Sequence, residues 1–175
     1  SLQRSGGSQI AVGVHDQRQA VLSGDADPDY VGLVRSGFGI PYHVSTDSDA
    51  PFSHDLADAI ARGLERAGHQ SKVVHLLPTL PPQQALVQLT TTGAPRIVLV
   101  NIREWKCDTY MSTSLAYDVE LSVTDGQGNV LGRAQVTGTD SLGGNAETAV
   151  SNALQQKLER LLNDASVVNA LQSAG

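Results

Sequence analysis

Apolar positions recur at two different periods along the chain, and the change from one period to the other marks out the elements. Over residues 9–14, Ile10, Val12 and Val14 alternate with smaller neighbours. That period of 2 predicts a half-buried strand, closed by His15, Asp16, Gln17 and Arg18. Between residues 23 and 50 the composition turns to Gly, Asp, Ser and Pro, with brief apolar runs at 30–34 and 38–44; this reads as a long excursion containing a loose hairpin. A helix is predicted over 51–68, because Phe52, Leu56, Ile60, Gly63, Leu64 and Ala67 share one stripe. Ser53 is its expected N-cap and Gly68 its stop. A short strand follows at 71–76, and Pro81 or Pro82 opens a second helix to about Thr91, ended by Gly93 and Pro95.

Residues 96–107 begin with four apolar residues after Arg96 and continue in looser alternation, as a strand in the middle of a sheet would. Straight alternation puts Arg103, Trp105 and Cys107 on one face and Ile102, Glu104 and Lys106 on the other. Leu115, Tyr117, Val119, Leu121 and Val123 then alternate strictly with polar or small residues, and the glycine-bearing 125–129 turns the chain into a return strand over 130–139. Gly143 and Gly144 break the chain and Asn145 caps a closing helix. Its stripe runs through Ala146, Ala149, Val150, Ala153, Leu154, Leu158, Leu161 and Leu162, with Leu154 and Leu158 expected fully buried. One or two further helical turns are expected over 166–171. The fold class predicted is α/β, α+β in detail: a mixed, mainly antiparallel sheet with the two long helices packed on one face.

The chain's 175 residues suit one domain, and charge narrows its partners. A net charge of -6 gives no basic patch with which to displace counterions from phosphate, so no nucleic acid is expected as a partner. The single cysteine, Cys107, excludes an internal disulfide and a multi-cysteine zinc site. No apolar run approaches the roughly 18 residues of a membrane span. Residues 1–8, small and polar and starting without Met, read as a flexible tether ahead of a single globular domain over 9–175. Any signal peptide or lipid-anchor cysteine would then lie upstream.

Few residues combine into chemistry. Asp25, Asp27 and Asp29 start like a calcium loop, but Tyr30 and Ser36 stand where its glycine and bidentate Glu belong. None of the five histidines has metal-ligand spacing, there is no nucleophile elbow, and the glycines of 36–40 meet neither phosphate fingerprint. No metal and no cofactor is expected, and no catalytic residue is assigned. Two constellations remain. His15, Asp16 and Arg18 sit at a strand end, where α/β folds place pockets. Trp105, the only tryptophan, with Arg103 and Tyr110, offers a binding patch near a sheet end.

The order of elements resembles the YajG-type bacterial lipoproteins, small envelope proteins. The likeness rests on a first strand running into Asp16, Gln17 and Arg18, and on an amphipathic helix ending in Ala67, Gly68 and His69. It continues through the strand at 97–105, the Tyr-bearing strand and turn over 115–129, the closing helix at 149–158 and the short tail at 164–171. The resemblance implies a domain facing the periplasm, anchored through a lipidated cysteine upstream of Ser1, and it brings no catalytic residues. The function expected is a non-catalytic, lipid-anchored envelope protein that binds an envelope protein or a cell-wall component and admits a homo-oligomer. The alternative is a small-molecule-binding or hydrolytic domain with a pocket near His15 and Asp16.

Overall fold

The structure, a computed structural model, describes residues 9–27, 30–35, 41–45, 50–110, 112–142 and 146–173; within these, the side chains of 30–35, 41–45, 109, 110, 112, 146–148, 150 and 151 are not described. The tether at 1–8, Asp29, the glycines at 36–40 and the Gly143, Gly144 and Asn145 break and cap lie outside the described residues. The elements follow in the order β1 (Gln9–Asp16), α1 (Gln19–Leu22), β2 (Tyr30–Arg35), β3 (Pro41–Ser45), α2 (Phe52–Arg66), β4 (Gln70–Val73), α3 (Pro82–Thr90), β5 (Arg96–Tyr110), β6 (Ser112–Asp125), β7 (Val130–Leu142), α4 (Ala146–Leu162) and α5 (Ala165–Gln172).

The strands form one mixed seven-stranded sheet built around β5. One edge of β5 is shared: β1 pairs with its first half and β2 with its second, both in parallel. β6 runs antiparallel along the whole of the other edge, and β7 pairs antiparallel with β6. β4 extends the sheet in parallel beyond β1, while β2 and β3 form the expected hairpin. The long antiparallel ladders of β5, β6 and β7 dominate.

The two faces bury unequal cores. α2, α4 and α5 cover the first face, where Ile10, Val12, Val14, Val98, Val100 and Ile102 meet Phe52, Leu56, Ile60, Leu64, Ala153, Leu161 and Val167. Both long helices therefore lie on one face, as their stripes require. α3 covers part of the second face, with Leu76, Ala85 and Leu89 over Ala11, Ile97 and Leu99. β1 is consequently not a half-buried strand. Flanked by β4 and β5 and covered on both faces, it buries every residue from Ile10 to Asp16 and includes His15 and Asp16 instead of stopping before them.

Local sequence explains most boundaries. At the end of α2, Gly68 takes φ +95, the His69 N–H donates to the Leu64 carbonyl and the Gly68 N–H to that of Glu65, which closes a Schellman motif on the expected glycine. Pro51, not Ser53, holds the N-cap position of α2; Ser53 is buried inside the first turn, and Ala67, drawn on the stripe, is exposed. In α4, Leu158 is buried but Leu154 only packs against the edge of the core. α5 starts on an Asp164 side chain that accepts from the Ser166 N–H. It lies so close to β7 that any Cβ at Gly132 would collide with the Ser166 carbonyl.

The largest departure from the sequence reading is in β5. Its ladder with β6 shifts between Ile102 and Glu104, so Arg103 is an unpaired bulge residue. The extra residue reverses the phase of everything beyond it. Trp105 and Cys107 therefore share the first face with Ile102, and Arg103 turns outward.

Candidate functional site

The end of β1 folds into a closed charged cluster. Asp16 turns the chain by accepting from the Arg18 N–H at 3.2 Å, the short-range bond for which Asp is suited. The same carboxylate takes the Arg18 guanidinium in a two-point grip, Nε to Oδ1 at 2.9 Å and Nη2 to Oδ2 at 2.8 Å. Arg18 Nη1 reaches the Trp105 carbonyl at 3.4 Å. The guanidinium lies 5.2 Å from the centre of the Phe52 ring, which stacks on Trp105 at 5.8 Å. Asp16 is 0% and Arg18 4% exposed. The cluster thus pins the end of β1 and the start of α2 to the bulged stretch of β5.

His15, the remaining member of the predicted pocket, does not join it. Successive strand residues point to opposite faces, and His15 shares the side of Ala11 and Gly13, beneath α3, while Asp16 shares that of Val14. The sheet separates the two. The His15 ring is 1% exposed, and neither nitrogen has a hydrogen-bond partner among the described residues.

The predicted binding patch is also divided. Trp105 is 1% exposed, so its indole is a core side chain and not a surface anchor. Arg103 is exposed and reaches Asp118 at 3.6 Å and Glu120 at 3.7 Å. Tyr110 ends β5, with its side chain outside the described residues. Cys107 is buried beside this group, and burial pushes its thiol up to about 11, which leaves it a poor nucleophile at neutral pH.

The bulge leaves a polar surface in place of that patch. On the second face, beyond α3, Lys106 stands opposite Ala116, Glu104 opposite Asp118, and Glu120 opposite Gln135. The Gln135 amide donates to Asp118 at 2.8 Å. Among the described residues, the outermost strand, β7, pairs with no strand but β6. Its backbone is tied to α5 at the Arg133 N–H, which donates to the Ser166 hydroxyl.

A further cluster escaped the sequence reading because its members lie far apart along the chain. Lys157 of α4 is largely buried, donates to Asp140 of β7 at 2.7 Å and lies 4.3 Å from the centre of the Tyr117 ring. The Tyr117 hydroxyl donates to the other Asp140 oxygen at 3.3 Å. A lysine inside an apolar stripe was the available signal. Burial opposes the charge on Lys157, but the bonds to Asp140 and Tyr117 outweigh it and raise its pKa; the Lys157 bond holds Asp140 below the ordinary carboxylate range. A group depressed on folding stabilises above its unfolded pKa, about 3.9 for Asp, and loses that contribution as pH falls through the lower folded value. Asp140→Asn is therefore expected to cost up to about 1 kcal/mol at pH 7, the scale of a part-exposed pair. The difference from wild type should vanish in acid, as read from urea midpoints across a pH series; a difference independent of pH would contradict it.

No protein-family model matches the chain, and no curated protein matches its sequence. Solved structures share its fold. A protein from Xanthomonas campestris assigned to the family model DUF330 superposes with a TM-score of 0.54 at 13% identity, over 94% of this chain and 84% of its own. A variant of PelC from Paraburkholderia phytofirmans, solved as a dodecamer, gives 0.51 at 16% identity over 97% and 90%. The lipoprotein GNA1162 of Neisseria meningitidis, at 0.44 and 10% identity over 86% and 97%, is too remote to bear on this chain. At these identities the likeness is one of fold.

Proposed function

We propose that this chain is the folded domain of a lipid-anchored protein of the bacterial cell envelope, akin to the YajG-type lipoproteins. In this reading it faces the periplasm from an anchor upstream of residue 1 and acts without catalysis, binding an envelope protein or a cell-wall component. One observation carries the interaction part. The polar groups at the end of β1 are spent on internal packing, while the second face of β5, β6 and β7 and the outer edge of β7 present polar side chains and backbone to solvent. An open edge strand beside a polar sheet face is a surface on which an extended segment adds. The dodecamer formed by PelC, which shares the fold, supports self-assembly as one use of such a surface. The hydrolytic alternative retains only the unpartnered His15, because Asp16 lies across the sheet from it.

The test is made in bacteria producing the full gene product. Labelling with a palmitate analogue and recovery in the membrane fraction are expected, and unlabelled protein in the cytosol would overturn the anchor. A photo-crosslinking residue at Lys106 or Thr137 should join the domain to another copy or to an identified envelope component. Absence of adducts from both positions, with adducts forming from a control envelope protein, would overturn the interaction surface.

A further inference from the structure

Two histidines that the function above does not use meet at the edge of the sheet. His54 lies in the first turn of α2, and His75 in the loop between β4 and α3. Their rings stack with centroids 3.8 Å apart and planes within 9°. Neutral imidazoles tolerate such contact, as does one imidazolium over a neutral ring. Two imidazoliums at that distance repel one another.

We propose that the stacked imidazoles of His54 and His75 are a proton-operated latch that fastens the β4–α3 loop to α2 at neutral pH and releases it in acid. The loop between β4 and α3 carries no charged residue. Its Leu76 is buried in the smaller core, where the Leu76 and Leu89 side chains crowd the space above Gly13. Leu77 beside it is 69% exposed. Releasing His75 therefore loosens the seat of Leu76 and, with it, the packing of α3. The larger core, on the other face, does not depend on this loop.

The charges acting on His54 give the same direction. Burial lowers its pKa first, His75 lowers it further, and Asp58 and Asp55 on its own helix pull the other way without reversing the result. The folded protein thus binds this proton less readily than the unfolded chain. The contribution is complete above the ordinary histidine value of about 6.5 and is lost as pH falls below it through the lower folded value. His15, buried on the sheet face that this layer covers, is a further titratable group, so the experiment must separate the two.

Hydrogen exchange, corrected for the intrinsic rate, separates them when followed in residues 74–90 and in β6 at about pH 7.5 and about pH 5.5, either side of the histidine range. In the wild type, protection over 74–90 should fall several-fold in acid while β6 holds. His75→Phe and His54→Phe keep a ring in the stack but cannot take the proton, and each should flatten the response; His75→Gln serves if a phenylalanine variant folds poorly. A wild type without acid response overturns the latch. So does a response that persists unchanged in the His75 variants, which would make His15 the sensor.

Discussion

Arg18→Met is expected to destabilise the protein by about 3–5 kcal/mol, the cost of stranding a buried charge. The carboxylate of Asp16, wholly enclosed, would lose two strong bonds with no water to replace them, and the Trp105 carbonyl would lose a donor. The penalty comes from the charge left behind more than from the strength of the pair. Asp16→Ala combined with Arg18→Met should therefore cost less than Arg18→Met alone, since an apolar replacement of a whole buried pair is often close to neutral. Urea midpoints of the three variants decide it. A loss below about 1 kcal/mol for Arg18→Met would mean that the carboxylate reaches water, and the cluster would then be open enough for a pocket.

This cluster shows where sequence reasoning stops. The sequence places His15, Asp16 and Arg18 at a strand end and pairs His15 with Asp16, whereas the structure pairs Asp16 with Arg18. That Phe52 and Trp105 close over them depends on contacts between residues 34 and more positions apart, which no local pattern encodes. The long helices were legible for the opposite reason. Phe52, Leu56, Ile60 and Leu64 repeat the core contact once per turn, so periodicity and burial are one fact. The hairpin after β6 and the glycine that stops α2 are likewise legible, because turn chemistry is local.

The pattern of β1 misleads for a reason that generalises. Its alternation of large with small residues resembles a strand with one wet face, yet the small residues at 11 and 13 are buried under Leu76 and Leu89. Smallness there reflects the close approach of α3, not exposure. The surface proposed for interaction was invisible for a related reason, since it exists only because a bulge turned the aromatic residue of β5 inward.

That bulge sets the last expected result. Trp105→Ala should cost about 3–5 kcal/mol through lost burial and the cavity left against Phe52. Wild-type emission should be that of a buried indole, moving to the red only on unfolding. Deleting Arg103 tests the cause. In an ordinary central strand, losing one residue turns every later side chain to the wrong face. Here Arg103 has no partner across the ladder, and Ile102 already faces Val119 while Glu104 faces Asp118. Deletion should therefore join two segments that are already in phase, at the modest cost of two long surface ion pairs and a changed twist. The shortened protein should keep the buried emission of its tryptophan. If the deletion moves that emission to the red or unfolds the chain as severely as Trp105→Ala, the inward turn of β5 does not rest on an unpaired residue at 103, and the open polar face beside it loses its explanation.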